Sequence, residues 1–295
     1  MITILRKELA DYFTSIRCFI LFLLVILASA AGLYAAYQGI RGAGSGTSFV
    51  FLRLFITSGE VMPSLVTFLT LFVPIIGIAL GFDAINSERS SGTLNRILSQ
   101  PVYRDSVING KFLAGIVTLA IMIAATMLIV SGYGLRMIGV APSAEEIIRL
   151  FIYFVFIIIY GAFWMGLAIL FSVLFRRIAV SLLSAIAVWL FFGFFYINMI
   201  VPATAKTVET ALMLMRLSPN TLLGEATMVL LLPQWRGVGL LTAGEEITSY
   251  MLPNPLSLGQ SILLVWPQLT ALIALTAICF AVSYVVFMRQ EIRAT

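Results

Sequence analysis

Six long apolar stretches dominate the chain, at about residues 18–37, 62–82, 112–135, 151–175, 178–201 and 265–288, and none of them contains Asp, Glu, Lys or Arg. Each reaches the ~20 residues an α-helix needs to cross roughly 30 Å of hydrocarbon. The fourth and fifth are parted only by Arg176 and Arg177, so the pattern predicts a tight helical hairpin that turns at this pair. Ahead of the first stretch, Ile2, Leu5, Leu9, Phe13 and Ile16 recur at helical spacing, with Arg6, Lys7, Asp11, Thr14 and Arg17 on the other side. Residues 1–17 therefore read as an amphipathic helix, lying in a membrane interface ahead of the first span or packed on another part of the chain. Segment 202–264 is too long for a plain linker. Its apolar piece at 221–232 is too short to span, which suits a re-entrant or surface-lying helix.

Composition sharpens the class. Of 295 residues, 61% are hydrophobic and 11% charged, with mean hydropathy +1.08, so the surplus apolar surface must face lipid. The run at 18–37 exceeds a signal-peptide core and is expected to remain as the first span. Of the 18 Lys and Arg, the side holding both termini would receive Arg6, Lys7, Arg17, Arg89, Arg96, Arg104, Lys111, Arg176, Arg177, Arg289 and Arg293. The remaining cations are spread over longer loops, so the termini are expected in the cytoplasm. The net charge of +5 is read through this rule and not as a nucleic-acid surface.

Histidine is absent, which removes Ser-His and Cys-His nucleophile pairs and His-based metal sites. Cys18 and Cys279 show no metal or disulfide spacing. No G-x-x-x-x-G-K-[ST] loop is present to cradle phosphates. Spans without ionisable residues argue against a proton-coupled carrier. Glu145-Glu146 after Ser143 and Glu245-Glu246 after Thr242 read as helix N-terminal caps.

Two segments are candidates for function. The loop 83–111 is polar yet keeps an apolar stripe at Leu94, Ile97 and Leu98 before Pro101. It reads either as a docking helix or as a solvated chain reversal, with Glu88 and Arg89 as docking charges or as loop charges paired locally. The fifth stretch is rich in aromatics, and Trp189, Phe192, Phe195 and Tyr196 with Met199 would either line a translocation path or pack against lipid and bundle.

The run Glu88-Arg89-Ser90-Ser91-Gly92-Thr93-Leu94, then Leu98, Pro101 and Gly110-Lys111, resembles the E-R-x-x-G-T-L…P…G-K pattern of type-2 ATP-binding-cassette (ABC) permeases. The layout is similar over nearly the whole chain. The resemblance implies an all-α membrane protein, a single domain over 1–295: an exporter-like bundle of six transmembrane helices with an N-terminal elbow helix at 1–17. Segment 202–264 would be extracytoplasmic. The loop 83–111 would be the coupling loop. Its Glu88, Arg89, Gly92, Thr93, Leu94, Ile97, Leu98 and Pro101 would dock a separate ATPase subunit in the cell membrane. Two ATPases, carrying the ATP and Mg that this chain lacks, would join two permeases, a homodimer or close paralogues. The second and fifth spans would line the path. Members handle drugs, peptides, lipids, polysaccharides, Na⁺ or material for metalloenzyme maturation, and charge-free spans favour a hydrophobic or amphipathic cargo. The rival readings are a secondary carrier or channel, a membrane enzyme, and a non-transporting anchor for an ATPase.

Overall fold

A computed structural model describes residues 1–42, 49–58, 63–93, 103–139, 141–234 and 255–290. All regular structure among them is helical. Helix α1 (Ile2–Thr14) stops at Ser15, whose extended backbone (φ −76°, ψ 131°) separates it from α2 (Ile16–Gly42). Then follow α3 (Val50–Ile56), α4 (Leu65–Gly81), the short α5 (Asn86–Ser90), α6 (Arg104–Ile138) and α7 (Ala144–Leu174). After the hairpin at Phe175–Arg177 come α8 (Ile178–Leu190), a π-helical segment (Phe191–Ile200) and α9 (Val201–Thr204), one continuous rod. The chain closes with α10 (Val208–Met215), α11 (Pro219–Leu231) and α12 (Leu258–Arg289).

Among the described residues, six stretches are long and apolar enough to cross a membrane: Ile16–Gln38, Leu65–Ser90, Arg104–Met137, Ala144–Leu174, Ile178–Thr204 and Leu258–Arg289. They coincide with the six apolar runs, but several start earlier. Helix α6 begins at Arg104, which places Lys111 within a helix, and α7 begins at Ala144, which places Arg149 there. Ser143 caps α7 through a reciprocal bond with Glu146, as the spacing predicts. The corresponding Glu245-Glu246 pair lies outside the described residues.

Helix α7 is the hub. Its most apolar window is 61% buried, whereas the fifth and sixth spans are 17% buried and leave most of their surface for other apolar contacts. It meets α4 on one side and α12 on the other, with α6, α8 and α11 around it. The α4–α7 crossing is close because glycines face backbone: a Cβ at Gly77 would sit 2.6 Å from the Gly161 carbonyl oxygen, and one at Gly81 2.6 Å from that of Met165. Gly77→Ala is therefore expected to cost about 1–3 kcal/mol by forcing the helices apart. Thermal unfolding in detergent should show it, while Gly132→Ala, where a Cβ meets nothing within 4 Å, leaves the midpoint unchanged.

Segment 221–232 becomes α11, almost wholly buried against α7 and α12. Helix α1 splits its apolar stripe. Ile2, Phe13 and Ile16 are exposed, and the face turned to the bundle carries Glu8 and Tyr12.

Candidate functional site

The root of the 83–111 loop is fastened from several helices. Ser172 Oγ of α7 accepts the backbone N–H groups of Ile85 (2.9 Å) and Asn86 (3.1 Å). Ser181 of α8 donates to the Phe82 carbonyl at 2.8 Å, and Tyr12 of α1 donates to that of Leu80 at 2.9 Å. Burial, with nearby Glu8 and Asp83, pushes the Tyr12 phenol far above its ordinary pKa, so it stays a donor. Arg17 pairs with Asp83 and lies over the Phe82 ring.

At the centre of this end stands Lys111. It is 4% exposed, and its Nζ lies 2.9 Å from Glu8 Oε1 and 2.9 Å from Glu88 Oε1. One ammonium thus joins α1, α5 and α6. Gly110 permits this approach, since a Cβ there would meet Ile4 Cγ2 of α1 at 2.9 Å. Lys7 completes the cluster on the rim, 3.2 Å from Glu8 and 3.6 Å from Glu88. Burial pulls its pKa down, but the carboxylates of Glu8, Glu88 and Asp11 outweigh that and hold it above 10.5. Its small, solvent-screened contribution is therefore complete at neutral pH and lost only as pH climbs through the raised value.

The two ends of the sequence pattern, Glu88 and Gly110-Lys111, thus meet in space. Glu88 is turned inward and its Oε1 is taken by Lys111, while Arg89 reaches Gln290 beyond α12. Thr93 donates to the Glu88 carbonyl (3.3 Å) across a turn in which Gly92 has φ +72°. Ser90, Ser91, Gly92 and Thr93 are exposed at the tip. Leu94, Ile97, Leu98 and Pro101 lie outside the described residues.

At the opposite end a cavity of about 550 Å³ lies between the first turns of α4, the π-helical segment and α11. Of the aromatic candidates, Trp189 lines it. Phe192 and Tyr196 pack on each other and on the small cluster of Val201 and Met215. Phe195 (55% exposed) and Met199 (63%) face away from the bundle. Gly193, Phe194 and Ile197 line the cavity instead. In a π-helix the bonding step is one residue longer, so positions chosen by a 3.6-residue period drift off the face. The Phe192 carbonyl in this widened turn accepts from Ser218 Oγ at 3.3 Å.

A Glu146 anchor and two polar knots hold the same end. Glu146 Oε1 accepts from the N–H groups of Phe51 (3.0 Å) and Leu52 (3.4 Å) in α3. Arg149, 0% exposed, pairs with Glu145 (2.7 Å) and donates to the Leu230 carbonyl (3.0 Å), Ser261 Oγ (3.0 Å) and the Leu256 carbonyl (2.7 Å). Glu225, 2% exposed, pairs with Arg216 and accepts from Gln268 Nε2 at 3.0 Å. The sequence treats Arg149 as a loop charge and leaves Glu225 unremarked. An acid at 225 inside an otherwise apolar stretch is the signal that could have found the second knot.

An all-helical bundle of six spans whose coupling-type pattern closes on itself agrees with the comparison with known families. The family described as ABC-2 family transporter protein matches residues 2–292. The chain belongs to the ABC-2 transporter family. It is 31% identical over 203 residues to a Pseudomonas aeruginosa protein named as the probable ABC transporter permease NosY, covering 64% of this chain and 66% of that one. A Stutzerimonas stutzeri protein of the same name is 31% identical over 144 residues, 49% of this chain and 46% of the relative. The matches thus span just under two thirds of the first relative and about half of the second. As an ABC-2 member the chain is a multi-pass membrane protein of a transporter family.

Proposed function

We propose that this permease exports an amphipathic cargo across the cell membrane, driven by a separate ATPase that docks on the loop 83–111. Both termini are cytoplasmic in this reading, and two permease copies assemble with two ATPases that bind the ATP and Mg. The chain forms a single transmembrane domain, with α1 as an interfacial elbow and 202–264 on the outer side.

One observation carries the reading. The exposed tip Ser90–Thr93 stands on a base in which Lys111 joins Glu8 and Glu88. A push on the tip therefore loads α1 and α6 together, and through Ser172 also α7, the hub of the bundle. Closure of the ATPase pair supplies that push. At the far end the load reaches the cavity, where α4 of the second span faces the fifth, the spans expected to line the path. Glu88 acts here as an internal strut, while Arg89, Gly92, Thr93 and the stripe Leu94, Ile97, Leu98 up to Pro101 meet the ATPase.

Co-purification in mild detergent tests this. The native chain is expected to carry an ATPase subunit with it. Leu94→Asp is expected to lose that partner, and Glu88→Ala to retain part of it with ATP hydrolysis uncoupled from transport. A native chain that emerges alone and transports with ATP depleted would overturn the reading.

A further inference from the structure

We propose that the far-end cavity is a binding site for an uncharged amphiphile, and that Asn220 selects for neutrality; this rests on the permease reading above and names its cargo class. Among the described residues, no Asp, Glu, Lys or Arg lines the cavity. Glu225, the carboxylate of α11, is committed to Arg216 and Gln268. A net charge entering such a site would be desolvated with no counter-ion among the described lining residues to meet it.

The polar groups that do line it form a defined set. Thr70 donates to the Val66 carbonyl at 2.9 Å and Thr227 to that of Leu223 at 2.7 Å, so their hydroxyl hydrogens are used and their lone pairs remain. Ser64 and Thr67 share a hydrogen bond of 2.9 Å with each other. Asn220 Oδ1 accepts from Tyr160 at 2.6 Å, which orients the amide. Its Nδ2 lies on the side of Gly193, where a Cβ would come within 3.1 Å of it. The site thus offers an amide donor and several hydroxyl acceptors. Trp189 and Phe194, edge to face at 6.4 Å, supply an aromatic wall for the apolar body. A cavity of about 550 Å³ is of the size that takes a small organic molecule.

The experiment uses the full chain in nanodiscs of neutral lipid and three probes that share one fluorophore: dansylamide (uncharged), dansylcadaverine (cationic) and dansylglycine (anionic). The part of the energy transfer from tryptophan that Trp189→Phe removes reports binding near Trp189. Dansylamide is expected to bind at least about tenfold tighter than either charged probe. Asn220→Asp keeps an oxygen for Tyr160 but replaces the donor with a carboxylate, and should shift preference about tenfold toward dansylcadaverine. Gly193→Leu fills the cavity and should abolish specific transfer. Thr70→Val preserves shape and should weaken dansylamide by a few-fold at most. Equal binding of the three probes overturns the proposal. So does binding indifferent to both Asn220→Asp and Gly193→Leu, the result expected if lipid or a second copy fills the space. ATPase capture is scored separately. Capture without charge preference defeats this site alone, and charge preference without capture defeats the ATP-driven reading alone.

Discussion

Arg149→Met is expected to destabilise the protein by about 3–5 kcal/mol, the range for breaking a buried charged network by removing one partner. The replacement fills most of the volume, so the loss is electrostatic and not a cavity. It orphans the buried Leu230 carbonyl and Ser261 hydroxyl, each costing about 1–3 kcal/mol when unmet, and the part-buried carbonyl of Leu256. These acceptors sit at the C-terminal end of α11, on the connection before α12 and in the first turn of α12, so this end of the bundle should loosen as a unit. Arg149→Lys should recover only part of the loss, because a single ammonium cannot reproduce the planar fork. Denaturant-induced unfolding in micelles checks this, with the exposed Arg136→Met as a control expected to change stability by less than about 0.5 kcal/mol. An Arg149→Met protein as stable as the parent would show that the knot is ornamental.

The second large effect is expected at Lys111→Met. Removing this ammonium leaves Glu8 and Glu88, both about nine-tenths buried, facing one another with only the rim cation Lys7. A loss of about 3 kcal/mol is expected. The local consequence should exceed the global one: α1 is tied to α6 through this group, so proteolysis near residues 1–15 should accelerate. The double variant Glu8→Gln with Lys111→Met removes the repulsion and should recover about 1–2 kcal/mol, a coupling that a double-mutant cycle measures. Within the proposed transporter, Lys111→Met should still hydrolyse ATP but lose transport. Retained transport with α1 protease-sensitive would separate the clamp from force transmission.

The six spans were legible because length and apolar content alone decide them, and the hairpin at Arg176-Arg177 because nothing else interrupts fifty apolar positions. Helix starts were less legible. Arg149 and Lys111 look like loop markers in a linear reading, yet each is drawn into a helix by partners far away in sequence, such as Ser261 for the first and Glu8 for the second. The same distance hid Glu8 and Glu225. The pattern at 88–111 could not say that its first and last members, Glu88 and Lys111, pair with each other. The stripe from Trp189 to Met199 dispersed because the helix there widens to a π turn, and no spacing rule based on 3.6 residues survives that change.

The Arg149 knot also has a history in time. Its partner Glu145 emerges from the ribosome one turn earlier, but Ser261 follows 112 residues later. At the usual pace of synthesis that gap lasts roughly 5 to 20 seconds. Throughout it, the half-made protein carries a guanidinium at the mouth of its central helix with only Glu145 to neutralise it. This end of the bundle is therefore sealed late, by the arrival of the span Leu258–Arg289.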